Sequence, residues 1–304
     1  MKTPWWFLRK TPLAFLLWPV SVLYYFVSRV VYNVRRIGAY KSRRPVICIG
    51  NIFAGGVGKT PIVRAVATHL NAPVVMRGYK KAAATNNIGD EALMLSAHGI
   101  AVHTGDRKSN MCLLNKQSDN TPIVMDDGFQ NPRIKKDISV LVFDASLGAG
   151  NGFVLPAGPL REPMRRVANA DAVIIIKSDG QRERKLKIPQ NIPVFYAWTR
   201  TVSPYAEKTP LVAFAGIGYP KKFFNALKQV VYKKAFPDHY QYTDDDIARL
   251  KNVAARRGAK LITTEKDWVR LSDAARQDIK FATLDMEIDN AFYKWLGDKL
   301  KCRH

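Results

Sequence analysis

The chain has 304 residues, 47% hydrophobic and 24% charged, which is enough apolar material for one large or two ordinary α/β domains and excludes wholesale disorder. Lys and Arg number 48 against 25 Asp and Glu, a formal charge of +23 that attracts polyanions. That charge alone does not choose among nucleic acid, anionic lipid and phosphorylated substrates. Cys48, Cys112 and Cys302 have neither metal-ligand nor redox spacing, so a reduced, cytosolic catalytic face is the simple inference.

Residues 11–28, TPLAFLLWPVSVLYYFVS, carry no charge and lie between Lys10 and Arg29. A helix needs about 20 apolar residues to span a bilayer core, so this segment is at the margin. Pro12 and Pro19 interrupt it, and its Trp and Tyr residues favour the headgroup level. Beyond Arg29 the pattern turns amphipathic, with Val30, Val31 and Val34 set against Arg35 and Arg36. A signal peptide would end in a small-residue cleavage site, whereas the exit here is RRIGAYKSRR. A buried core helix remains the other reading. We expect a membrane-anchoring helix over residues 1–36, lying in or partly into one leaflet ahead of a full span. Basic residues at both ends leave its orientation open.

After Arg44 strand and helix patterns alternate. The run 45–50, PVICIG, is short and apolar throughout, as in a parallel strand buried on both faces. A Gly-rich loop follows, then a helical stripe of Ile62, Val63, Val66, Ala67 and Leu70. Further strands are expected at 73–76, 122–125, 138–145, 172–176, 194–197, 211–216 and 260–264, with helical patterns between several of them. The expectation is an α/β fold with mostly parallel sheets. Gly and Pro cluster over 148–163, which suggests a phosphate-loop domain at 37–150 and a second α/β domain at 151–304.

The loop Gly55-Gly56-Val57-Gly58-Lys59-Thr60 lies between that first strand and the helix, the context a phosphate-binding loop requires. Its backbone N–H groups and the helix N-terminus would face phosphate oxygens. Lys59 would reach the β- and γ-phosphates of ATP, and the Thr60 hydroxyl would bind Mg²⁺. Phe53 stands where the full motif has its first Gly, so a Gly-rich connector with an accidental GKT is the competing reading. Pro61 suits the first helical turn, where its missing N–H has no partner to lose.

A nucleotide site also needs a carboxylate for the metal. One strand candidate ends in Asp126-Asp127-Gly128 and another in Asp144, both at C-terminal ends, where open α/β sheets bind ligands. The adjacent pair has the better chemistry, with Asp144 as the alternative and turn capping as the bland account of both. Asp90 precedes EALMLSAHG and reads equally as an N-cap or a catalytic group. His239 sits in FPDHY, ahead of a helix capped by Thr243 and Asp246, and by itself reads as a loop histidine. Arg77, with Tyr79, Lys80 and Lys81, follows a strand and is either a solvated basic loop or a clamp for a phosphorylated ligand.

Seven blocks in this order, GNIFAGGVGKTP, RGY, GDE, DDGFQ, LPAGPLREP, FPDH and TTEKD, resemble the tetraacyldisaccharide 4′-kinases, the lipid A 4′-kinases of Gram-negative bacteria. The likeness covers nearly the whole chain. It implies two P-loop-type α/β/α domains with the site in the cleft between them, and an N-terminal helix docked on the inner membrane with the catalytic domains on the cytoplasmic face. The implied reaction moves the γ-phosphate of MgATP to the 4′-hydroxyl of an acylated glucosamine disaccharide 1-phosphate, giving lipid IVA. By the same resemblance Asp90 is the base, His239 assists it, Asp126 and Asp127 serve metal and phosphate, and Asn51, Arg77 and Gln130 lie on the substrate side. Three positions depart from the family pattern: Lys80-Lys81 in place of Gly-Arg, Asn131 in place of His, and Ala92 in place of Pro.

A nucleotide-dependent switch protein acting on a protein partner is the rival within the P-loop class. A nucleic-acid-binding protein rests on net charge alone, without a basic, aromatic-interleaved motif to support it. We therefore expect a lipid substrate and an anionic membrane surface as partners, with no nucleic acid and no obligatory protein partner.

Overall fold

The computed structural model describes residues 4–77, 89–178, 182–238 and 240–302. Their contacts group into two compact units, Pro4–Trp198 with Met286–His304, and Thr199–Asp285.

The larger unit opens with helix α1, Pro12–Arg36. The Thr11 side chain accepts the Ala14 N–H as N-cap and Pro12 takes the first helical position, so the helix starts where its orphan donors are satisfied. Then come β1 Val46–Gly50, α2 Lys59–Leu70, β2 Val74–Met76, α3 Asp90–Ala97, β3 Val102–Thr104, α4 Arg107–Leu114, β4 Ile123–Asp126, β5 Ile138–Asp144, β6 Ala172–Ser178 and the first part of β7, Val194–Val202. The sheet order is β3-β2-β4-β1-β5-β6-β7, and every pairing from β3 through to β6 is parallel. Each residue of β1 and β5 is buried, which is why both read as unbroken apolar runs.

The smaller unit contains β8 Leu211–Ala215, α5 Pro220–Ala226, β9 Val230–Ala235, α6 Asp244–Arg256, β10 Lys260–Thr264, α7 Glu265–Trp268, α8 Asp273–Asp278 and most of β11, Lys280–Ile288. Its strands run β11-β10-β8-β9, again parallel. The alternation along β8 serves two layers: Val212 and Phe214 join Ile247, Leu250 and Ala254 of α6, while Leu211, Ala213 and Ala215 join Phe223 and Phe224 of α5. Helix α9, Asn290–Lys301, returns to the larger unit, where Phe292 meets Phe195 edge-on at 5.5 Å.

Eight strands fall where the apolar runs place them. Strands β3, β9 and β11 do not stand out in the sequence: β3 has three residues, and exposed positions interrupt β9 and β11, so neither forms an apolar run. The Gly- and Pro-rich stretch 148–163 lies inside the larger unit. It is stitched to the loop after β1, through Ala54 N–H to Pro159 O at 2.6 Å and Arg161 N–H to Ile52 O at 2.6 Å.

The exposed face of α1 carries Leu16, Leu23, Phe26, Val30 and Val34, while Ala14 and Ser21 are buried on its other side. The Ser21 hydroxyl donates to Val154 O at 2.9 Å and accepts the Ala157 N–H at 2.9 Å. Further along the same face, the guanidinium of Arg165 lies over Tyr25 and that of Arg166 over Tyr32, at 5.3 and 5.8 Å from the ring centres.

Candidate active site

The loop after β1 turns sharply into α2. Gly58 holds the N-cap position at φ 80°, a left-handed backbone, and a Cβ there would lie 3.2 Å from Ile176. Lys59 and Thr60 are the first two residues of α2, so both stand at the positive end of the helix. Phe53, in the place of the first glycine of the motif, is buried and bridges Leu160. The segment 153–161 thus walls one side of the loop.

Opposite the loop, β4 ends at Asp126 and the backbone turns left-handed at Asp127, φ 49°, a conformation that Asp tolerates better than most residues. The Asp127 N–H donates to Ile49 O at 2.9 Å, which fixes the pair beside the end of β1. Gly50 permits this closeness, since a Cβ there would meet Phe129 Cβ at 2.7 Å. Arg107, first residue of α4, donates to both main-chain carbonyls, Asp126 O at 2.6 Å and Asp127 O at 3.2 Å.

Asp127 receives two cations. Lys59 Nζ lies 3.2 Å from Oδ1, and Arg161 Nη1 lies 3.0 and 2.9 Å from the two carboxylate oxygens. Burial pushes this carboxyl up, but Lys59 and Arg161 outweigh it and hold the group below the usual range. Asp126 has the opposite balance. Burial dominates and raises it to about 6, helped by the Asp127 charge and opposed by Lys59 and Arg107. Its Oδ1 is buried without a hydrogen-bond partner among the described residues. A carboxylate oxygen left so beside a Lys-bearing loop is suited to ligate a cation, since an orphaned buried acceptor is otherwise costly. The half-buried Thr60 would add a hydroxyl. Mg²⁺ characteristically takes one or two carboxylates plus phosphates and water, and this donor set suits it.

Asn51 and Gln130 brace the loop from below. Gln130 donates to Asn51 O at 2.8 Å and its Oε1 accepts from Arg161 at 3.4 Å, while Asn51 Nδ2 reaches Gly55 O at 3.5 Å. Asp144, the alternative carboxylate, is occupied with the backbone N–H and hydroxyl of Ser146, a turn-capping arrangement.

A family model described as Tetraacyldisaccharide-1-P 4'-kinase matches residues 13–301. The chain belongs to that family. A tetraacyldisaccharide 4'-kinase from Bradyrhizobium sp. (strain BTAi1 / ATCC BAA-1182) is 39% identical over 285 residues, 85% of this chain and 81% of the relative. One from Methylobacterium nodulans is 38% identical over 305 residues, covering 90% and 89%. Among solved structures, the "apo" form of LpxK from Aquifex aeolicus in complex with ATP superposes with a TM-score of 0.73 at 22% identity, over 95% of this chain and 98% of that one. At that identity the likeness speaks for the fold.

Set against the 4′-kinase blocks, the larger unit brings together Lys59, Thr60, Asp126, Asp127, Asn51 and Gln130. Arg77 follows β2 with its side chain exposed, and its charge helps depress the Arg107 guanidinium, whose shift is chiefly one of burial. Asp90 is the first residue of α3, whose N-cap position falls on Gly89. Tyr79, Lys80 and Lys81 lie outside the described residues, as does His239. The chain on either side of His239 is anchored within the smaller unit: Phe236 N–H donates to Ala215 O at 2.9 Å, and Thr243 and Asp246 form the expected capping box. The TTEKD block is structural there. Asp267, fully buried, accepts from Gly216 N–H at 3.0 Å, Tyr242 OH at 3.0 Å and Arg270 at 3.1 Å.

Two residues of the candidate site escaped the sequence reading. Arg161 was hidden in a stretch that reads as a linker, although it stands inside one of the family blocks. Arg107 begins a helix with no motif around it.

Proposed function

We propose that this 4′-kinase transfers the γ-phosphate of ATP to the 4′-hydroxyl of a tetraacylated glucosamine disaccharide 1-phosphate, forming lipid IVA. The observation that carries the site is the Lys59–Asp127–Arg161 cluster at the mouth of the Gly-rich loop, beside the unsatisfied Asp126 oxygen. In this reading the N–H groups of residues 55–60 cradle the phosphates, and Lys59 and Arg161 neutralise charge gathering on the transferred group. Asp126, Asp127 and Thr60 would hold the metal, which would supply charge neutralisation for the phosphates. Asp90 accepts the proton of the attacking hydroxyl with assistance from His239. Arg107 keeps the aspartate pair in place through its two carbonyl contacts, and Asn51, Arg77 and Gln130 serve the substrate side.

The apolar α1 is consistent with membrane association, which suits a substrate that is both lipidic and anionic. At 25 residues the helix is about 37 Å long, enough to cross a hydrocarbon core. Yet Ser21, Tyr25 and Tyr32 engage the body along its length, and a spanning helix would drag Arg165 and Arg166 into lipid at considerable cost. These contacts favour an in-plane or partly inserted helix over a full span, and the 4′-kinase reading would put it on the cytoplasmic face of the inner membrane.

The test is transfer of labelled γ-phosphate from ATP to the tetraacyl disaccharide 1-phosphate in detergent micelles. Wild type yields labelled lipid, and Lys59→Ala loses on the order of 10²–10³-fold in kcat. ATP consumption without labelled lipid would sink the acceptor assignment and favour a switch protein.

A further inference from the structure

The C-terminal end of α1 leads to a basic face at the end of the sheet opposite Lys59, where β1, β4 and β5 begin. Ala39 N–H donates to Arg36 O at 3.1 Å, Tyr40 N–H to Arg133 O at 2.8 Å, and Lys135 N–H to Tyr40 O at 2.8 Å. The last turn of the helix therefore adjoins the segment that enters β5. A few residues on, where the chain enters β1, an open groove of about 620 Å³ is lined by Arg43, Pro45, Lys116, Gln117, Ser118 and Asn120, with Arg44 among its walls.

The charges on this face are of two kinds. Arg44 is buried and committed, donating to Thr121 O at 2.6 Å and pairing with Asp119 at 3.2 Å, which also takes up that acidic group. Arg35, Arg36, Arg43, Lys116, Arg133 and Lys135 are exposed. Two apolar side chains stand out among them: Ile37 is 82% exposed and Leu113 52% exposed. Cations with protruding aliphatic side chains, joined directly to a helix whose outer face is apolar, match an interfacial surface. A soluble phosphate would explain the cations but neither Ile37 nor Leu113.

We propose that this face is a headgroup-binding surface for anionic phospholipid, seated by the same approach that seats α1. It rests on the reading of α1 as membrane-associated, and it adds a second point of attachment at the far end of the larger unit. Two attachments fix the rotation of the body on the bilayer, where an apolar helix alone would leave it free to roll. A cationic surface of this kind also concentrates the enzyme where its anionic substrate lies.

The full chain is tested by flotation with vesicles of phosphatidylcholine alone and of phosphatidylcholine mixed with phosphatidylglycerol. The compared variant combines Arg35→Gln, Arg43→Gln, Lys116→Gln and Lys135→Gln, all exposed positions outside the catalytic cluster. Wild type binds the mixed vesicles more tightly, and the variant loses roughly 10²–10³-fold there. Its binding to neutral vesicles and its micellar kinase rate stay unchanged. The proposal falls if the variant floats with anionic vesicles as wild type does, or if it loses equally on both lipids. It also falls if inorganic phosphate at constant ionic strength displaces the wild type, which would make the groove a small-anion site. Wild type that binds neither vesicle would remove the membrane reading along with it, whereas an unaffected variant removes only this one.

Discussion

Asp126 and Asp127 are neighbours in sequence with opposite acidities, and the cause is which side chains each one faces. Asp127 lies between Lys59 and Arg161 and is held ionised; Asp126 turns into the interior and is raised to about 6. A folded-state value above the unfolded one near 3.8 means that the folded protein binds the proton more tightly. Stability contributed by Asp126 is therefore present at low pH and lost as pH rises from about 4 through 6. In metal-free buffer, Asp126→Asn should remove that loss and stabilise the protein at pH 7.5 by on the order of 2 kcal/mol, with little gain near pH 4. Thermal unfolding at the two pH values, with chelator present, checks this. The same variant should lose most of its kinase rate, since an amide is a poor ligand for Mg²⁺. Equal stability changes at both pH values would mean that the buried charge is compensated by something else.

At the scale of elements, the phosphate loop is supported by a segment far along the chain. Residues 153–161 hold the loop through Phe53, Ala54 and Ile52 on one side and α1 through Ser21 on the other. The Ser21 hydroxyl is the joint in this arrangement, because it satisfies both the Val154 carbonyl and the Ala157 N–H away from solvent. Ser21→Ala would orphan both, at a cost of about 1–3 kcal/mol to the docked state. The expected consequence is local. Amide exchange at Ala157 should accelerate roughly 5–150-fold, while the buried strand β1 keeps its protection. Mass-resolved hydrogen exchange separates the cases, and equal acceleration in β1 would show global destabilisation.

For the whole molecule, the long-range question is how a body with a net charge of +23 and an apolar outer helix meets its lipid substrate. Leu23 is 63% exposed and Phe26 66% exposed, so replacing both costs little packing within the chain. Leu23→Glu with Phe26→Glu should shift the protein from membrane pellet to supernatant, a loss of 10²-fold or more if each side chain contributes about 1.5–3 kcal/mol on entering lipid. Micellar kinase rates should stay within about threefold, since neither side chain adjoins the Lys59–Asp127 cluster. Full membrane retention would assign anchoring to another surface.

What the sequence determined by itself is local or contiguous: the fully buried parallel strands β1 and β5, the glycine loop opening a helix at Lys59, the cap at Thr243, and the apolar run that becomes α1. These read directly because a buried strand, a cap or a phosphate loop is specified within ten residues or so by burial, hydrogen bonding and backbone freedom. The ordered blocks that carry the family resemblance were legible for the same reason. The tertiary structure alone decided that Arg161, more than a hundred residues from Lys59, shares a carboxylate with it, and that Arg107 fastens the aspartate pair by its carbonyls. It also decided that the Gly- and Pro-rich stretch is a wall of the site, and that β9 and β11 are strands although exposed positions interrupt both of them. Each of these turns on which distant groups meet, and the pairwise energies that select such meetings are invisible to any window along the chain.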